Sequence, residues 1–218
     1  MHTDTEAHCD GGDPNAGALL SRLAPMLSNL NCLQSLDLSN ANLTVCCMVA
    51  AVADSIMRLS QLTVLKLDGL YAPAGSFWPL LALKVSALAN LRHLGMAAAF
   101  GTEEQYRMLA AKLASNVARL PRISSWCLRS CHVDPPSAVM LVDHLVSMTA
   151  LSSLDLDMNQ IGLQGAESIA RSLACMPAVR ILTFGSEVPG CGKDAVHLGL
   201  EECHGPDWRS IVQCHFPT

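Results

Sequence analysis

The sequence predicts an α/β fold: a right-handed solenoid arc of about six units, with parallel strands on the concave face and helices on the convex face. Three observations predict it. An apolar skeleton sixteen residues long recurs six times, and its copies start 29, 29, 32, 28 and 28 residues apart. Within each copy the hydrophobic spacing changes from helical to extended, so every unit carries one element of each kind. Half of the residues are hydrophobic but only 4% are aromatic, which suits many similar layers of Leu, Ala, Val and Met better than one aromatic-rich core. A single strand and helix cannot bury their apolar faces alone; stacking on equivalent neighbours buries them.

The first copy is "LAPMLSNLNCLQSLDL", Leu23 to Leu38. Its apolar residues at i, i+1, i+4 and i+7 form one face of a helix, and the closing LxxLxL reads as a strand whose fourth and sixth positions face inward. Pro25 lies inside the helical part and predicts a kink or an early end. The second copy, from Val52, follows the apolar run Val45 to Ala53, which stops at Asp54. That run is far short of the roughly 20 residues a membrane-spanning helix needs. Its Cys46-Cys47 pair reads as one core residue and its neighbour.

The third copy starts at Leu81 after the irregular connection "DGLYAPAGSFWP". Tyr71, Phe77 and Trp78 in that connection are candidate loop anchors for a partner, although Trp78 and Leu81 also fit the inner face of the next helix. The fourth copy, from Leu113, is preceded by Thr102-Glu103-Glu104-Gln105, a capping-box pattern that opens a helix. The fifth, from Leu141, follows Asp134-Pro135-Pro136, where proline suits the first helical turn. The sixth starts at Ile169. The fourteenth position of the skeleton, the inward residue of each strand, is Leu36, Leu65, Leu94, Trp126, Leu154 and Leu182.

At "LSSLDLDMNQIGLQGAESIARSL", residues 151 to 173, the chain resembles leucine-rich repeat proteins of the ribonuclease-inhibitor-like class. Leu151, Leu154, Leu156, Asn159, Ile161, Gly162, Gly165 and Ala166 carry the resemblance, which covers roughly residues 16 to 188. The resemblance implies that the Asn159 position satisfies backbone groups where a strand bends into the following loop. That position is Cys131 in the fourth copy, a substitution the family shows, Ala41 in the first (flanked by Asn40 and Asn42), and Leu70 and Ala99 in the second and third. The family serves as inhibitors, receptors, sensors and scaffold subunits, so the resemblance names a fold and not a role.

Three parts are expected: a polar leader over 1–15, the solenoid over 16–188, and a cap or tail over 189–218. In the last, Ala195, Leu198 and Leu200 suggest one more helix, with Trp208, Ile211, Val212 and Phe216 folding back over the end. The leader lacks the basic flank and apolar stretch of a secretory signal and the arginines of a transit peptide. With no transmembrane segment either, the chain is expected in the cytoplasm. Its ten cysteines contain no CxxC and are expected as reduced thiols.

The expected functional surface is the concave sheet face. Its candidate partner-binding residues are Asp37, Lys66, Asp68, His93, Arg129, Asp155 and Asp157, an acidic set at both ends with cations near the middle. The simpler reading of any one of them is a solvated side chain. Formal net charge is -5 and the Lys and Arg residues are scattered along the sequence, so neither a nucleic-acid surface nor a phosphate track is expected. No phosphate loop, dinucleotide fingerprint, HExxH or GxSxG occurs. His93 and Cys127, on adjacent strands, could pair as base and nucleophile, but nothing supplies an orienting acid or an oxyanion hole.

The tail holds Cys191, His197, Cys203, His204, Cys214 and His215, zinc-ligand types at spacings that match no zinc template. No cofactor, metal, catalytic residue or small-molecule substrate is therefore expected. The expected function is a non-catalytic protein-interaction module or scaffold subunit, binding through the concave face, rim loops or exposed ends. Two alternatives stand beside it: a regulator of another enzyme, of the inhibitor or small-GTPase-activator type, and an enzyme or zinc protein using the C-terminal Cys and His residues.

Overall fold

In the computed structural model of the chain, residues 24–27, 29–43, 46–72, 77–99, 103–184 and 196–199 are described. Strand and helix alternate from β1 (Ser35–Asp37) through α1 (Cys46–Ile56), β2 (Val64–Lys66), α2 (Phe77–Lys84) and β3 (His93–Gly95). They continue with α3 (Glu103–Val117), β4 (Ser125–Cys127), α4 (Pro135–Leu145), β5 (Ser153–Asp155), α5 (Gly162–Ser172) and β6 (Ile181–Phe184). A last strand, β7 (Val196–Gly199), follows. Strands β1 to β6 form a parallel sheet in chain order, and β7 pairs antiparallel with β6.

The register sets Leu36, Leu65, Leu94, Trp126, Leu154 and Leu182 side by side across the six parallel strands. The last five are at most 1% exposed; Leu36, on the edge strand, is only half-buried. They share one hydrophobic core with Ile56 of α1, Leu81 of α2, Val117 of α3, Leu141 of α4 and Ile169 of α5. The helices therefore cover the sheet face that these five leucines and Trp126 occupy. The flanking strand residues, one position either side, point to the other face.

The strands are short because only the LxxLxL segment is extended; a bend follows each of β1 to β5. Helix α4 starts where the sequence indicates: Asp134 is its N-cap, its Oδ1 accepting from the Ser137 backbone at 2.9 Å, with proline in the first turn. Residues 24–27, Pro25 among them, are helical, and a turn follows at Asn29. The capping pattern at Thr102 lies outside the described residues.

Two expectations are corrected. Leu198 belongs to β7, not to a further helix; the open edge of β6 supplies backbone partners that override the local helical spacing. Phe77 and Trp78 are not loop anchors. They open α2, are 1% and 3% exposed, and meet edge-to-face with ring centroids 5.0 Å apart in the core. The leader, and the tail apart from 196–199, lie outside the described residues. Among the described residues, no helix is long and apolar enough to cross a membrane.

Candidate functional site

The register lays the outward residues in rows. One row is Ser35, Val64, His93, Ser125, Ser153 and Ile181; the next is Asp37, Lys66, Gly95, Cys127, Asp155 and Thr183. A third continues past the strand ends, where Asn40, Gly69, Ala98 and Ser130 donate to the carbonyls of Asp68, Ala97, Arg129 and Asp157. The candidate docking residues Asp37, Lys66, Asp68, His93, Arg129, Asp155 and Asp157 thus fall on one face, distributed over five adjacent strands.

Contacts within the sheet hold most of them. Lys66 Nζ stands 3.7 Å from Asp37 Oδ2, both side chains being more than half exposed. The Asp37 carboxyl is held below its ordinary value, chiefly by hydrogen bonds from the Ser39 side chain and backbone, with Lys66 adding a smaller effect. Asp68 Oδ1 accepts from the Ala97 backbone at 2.7 Å. Its carboxylate lies over Gly95, where an added Cβ would come within 2.9 Å of both oxygens, so the glycine makes that placement possible. Asp155 Oδ1 accepts from Thr183 Oγ1 at 2.7 Å and from the Asp157 backbone at 3.0 Å. Arg129 Nη1 meets Asp157 Oδ2 at 2.9 Å, with side chains 50% and 10% exposed.

Exposure separates the seven. Asp37, Lys66, His93 and Arg129 are exposed and Asp68 and Asp155 half-buried. Asp157, at 7%, is corrected: burial removes it from direct contact with a partner, and its oxygen instead fixes the Arg129 guanidinium. Tyr71 remains at 54% exposure, its backbone paired with Ala41 and Leu43 at the rim.

The bend behind β5 is built by one side chain. Asn159 is 1% exposed, and its Oδ1 accepts from the Cys131 and Val133 backbones at 2.9 and 3.1 Å. Its Nδ2 donates to the carbonyls of Leu128 and Leu156 at 2.8 Å each. Cys131 stands at the corresponding position one strand earlier, buried, its thiol donating to the Met96 carbonyl at 2.9 Å. Leu70 and Ala99 fill the same place with apolar atoms.

A nucleophilic pair does not form on this face. His93 is registered with Ser125, whereas Cys127 is registered with Gly95 and Asp155, two residues further along, a displacement of about 7 Å. Burial, helped by the charges of Asp155 and Asp68, pushes the Cys127 thiol up to about 11; burial pushes Cys131 to about 12. Thiols so raised are protonated at neutral pH and poor nucleophiles. Among the described residues no group of three or more His, Cys, Asp or Glu is arranged to hold a metal ion. The zinc-ligand types of the tail lie outside the described residues, apart from the backbone of His197 in β7.

Scattered in the sequence, five arginines are gathered by the fold. Arg58, Arg92, Arg119, Arg122 and Arg180 all lie in segments that lead from a helix into a strand, along one edge of the sheet. The signal was present as phase: they occupy only the seventh, tenth and twelfth positions of the sixteen-residue skeleton. The chain matches no protein-family model, and no curated protein matches it in sequence.

Proposed function

We propose that the chain is a non-catalytic protein-interaction module, a right-handed leucine-rich-repeat arc of about six units of the ribonuclease-inhibitor-like kind, that docks a partner on its concave sheet face. Parallel strands in chain order, with helices packed on one side only, support the solenoid reading, since a connection of this kind is right-handed in nearly all cases. Helices are wider than the spacing between strands, so such a stack curves with the strands inside.

One observation carries the functional reading: the sheet face that no helix covers among the described residues presents Asp37, Lys66, His93 and Arg129 as exposed side chains, with Arg129 held by the nearly buried Asp157. A charge fixed in place loses little conformational freedom when a partner arrives. The small-GTPase-activator reading, which would need a rim side chain aimed at a nucleotide, draws less support, because Arg129 is the one arginine on this face among the described residues and it is held by Asp157.

The test is a pulldown from native extract with the wild-type chain beside Lys66→Glu and Arg129→Glu. A single stoichiometric partner that the wild type retains and both variants lose supports the reading. A partner retained equally by all three removes the sheet face as the docking surface.

A further inference from the structure

The segments that lead from a helix into the next strand, along one edge of the sheet, carry one sign of charge, and Asp54, which lines a cleft there with Arg58, is paired with Lys84 at 2.7 Å. These connecting segments, residues 29–34, 57–63, 85–92, 118–124, 146–152 and 173–180, contain the five arginines Arg58, Arg92, Arg119, Arg122 and Arg180 and no Lys, Asp or Glu. All five are exposed. Arg122 Nη1 donates to Asn90 Oδ1 at 2.7 Å, and among the described residues no carboxylate pairs with any of the five. Arg58 and Arg119 follow the C-termini of α1 and α3, where the helix carbonyls favour a cation. Arg92, Arg122 and Arg180 stand at strand entrances and have no such local reason.

The acidic residues are disposed differently. Asp37, Asp68, Asp155 and Asp157, at the far ends of the strands, each accept from a donor within the protein. A chain of net charge -5 therefore presents a row of exposed arginines along this edge that have no carboxylate partner among the described residues.

We infer that this edge is a docking strip for an acidic polypeptide segment, rich in Asp and Glu, of a partner protein. The inference rests on the reading of the chain as a protein-binding module but uses a different surface. From β2 to β6 the strip crosses four strand spacings of about 4.8 Å, about 19 Å in all, which an extended segment of about six residues spans. Guanidinium forks match carboxylates in paired hydrogen bonds, and all five cations are Arg rather than Lys. The same segments contain no Phe, Tyr or Trp, so nucleic-acid bases find no stacking platform there. A polyphosphate longer than the strip would also run onto the negative remainder of the chain; a short acidic segment stays on it.

The test is fluorescence anisotropy of the full chain with a short labelled Glu/Asp peptide, a Lys peptide of equal length and an oligouridylate. The acidic peptide is expected to bind, to weaken as salt rises, and to lose at least about tenfold in affinity in Arg92→Gln/Arg119→Gln/Arg180→Gln, since each charge pair at such a surface contributes to affinity. Lys112→Gln, on the exposed side of α3, is expected to bind like the wild type. Should the triple variant fail to fold, Arg92→Glu and Arg180→Glu singly serve in its place, and each must weaken binding. Absence of acidic-peptide binding, unchanged affinity in folded variants, or tighter binding of the oligouridylate overturns the inference. If the strip fails while the sheet-face variants still abolish partner capture, the interaction-module reading stands without it.

Discussion

Each of five parallel strands is followed, three positions after its last residue, by a residue in the left-handed region: Asn40 at φ 58°, Gly69 at 64°, Ala98 at 49°, Ser130 at 53° and Met158 at 57°. Only glycine, and to a lesser degree asparagine, adopts this conformation at little cost. A side chain there costs roughly 1–2 kcal/mol, and the entropy that glycine adds to the unfolded chain offsets part of any gain from removing it. Ala98→Gly is therefore expected to stabilise the fold by about 0.5–1 kcal/mol, read as a higher urea midpoint; a lower midpoint would contradict the bend geometry. The half-buried Cys127 thiol and the buried Cys131 thiol give a second residue-scale expectation. Cys127 and Cys131 titrate at about 11 and about 12 when folded, against 9.0 ordinarily, so above pH 9 the unfolded chain has released protons that the folded chain keeps. Stability is then complete below pH 9 and declines as pH rises toward 12, the direction that linkage requires for a raised folded-state pKa. Urea midpoints measured across that range should fall, and Cys131→Ala should flatten the decline.

At the scale of the element, a strand and its bend act together. Leu154 and Leu156 are 1% and 0% exposed, and truncation of either to Ala is expected to cost about 2–5 kcal/mol. Wild-type-like melting of both variants would contradict their place in the core. Asn159→Ala removes the partners of two buried backbone N–H groups and two carbonyls. At about 1–3 kcal/mol for each buried group left unpaired, a loss of at least about 3 kcal/mol is expected in denaturant unfolding, large for a change at a polar residue. A loss well under that figure would mean that water reaches the bend and replaces the side chain. The LxxLxL strands and the Asp134 cap were legible because each depends on neighbours within a few residues in the chain. Strand β7 and the burial of Phe77 were not, because a free sheet edge and a facing core decide them, whereas the helical spacing already offered Trp78 to the core.

For the molecule as a whole, each parallel strand pairs only with its neighbours in chain order, so cohesion is passed from one strand to the next. Leu36, at the β1 edge, is half-buried where its counterparts on β2 to β6 are buried. Leu36→Ala should therefore cost less than Leu154→Ala, and hydrogen exchange should be faster in β1 than in β3 or β4. Equal protection across the sheet would show that β1 is covered as fully as the central strands. The shared face of the seven candidate residues was legible at this scale too, because their spacing follows the skeleton. Which of them meet solvent was not legible, since the exposure of Asp157 depends on Arg129 and that of Asp68 on the glycine beneath it.

Sequence by itself determined the alternation of strand and helix, the identity of the inward residues and the parallel order, because hydrophobic period and spacing act locally and recur. The phase of five arginines was written in the sequence, but tertiary structure alone decided that they stand side by side along one edge without carboxylate partners among the described residues, while Asp37, Asp68, Asp155 and Asp157 find donors within the protein. Charge separated in sequence becomes a surface only when the strands are brought side by side, and that distance is set by backbone hydrogen bonding between strands, not by the order of residues along the chain.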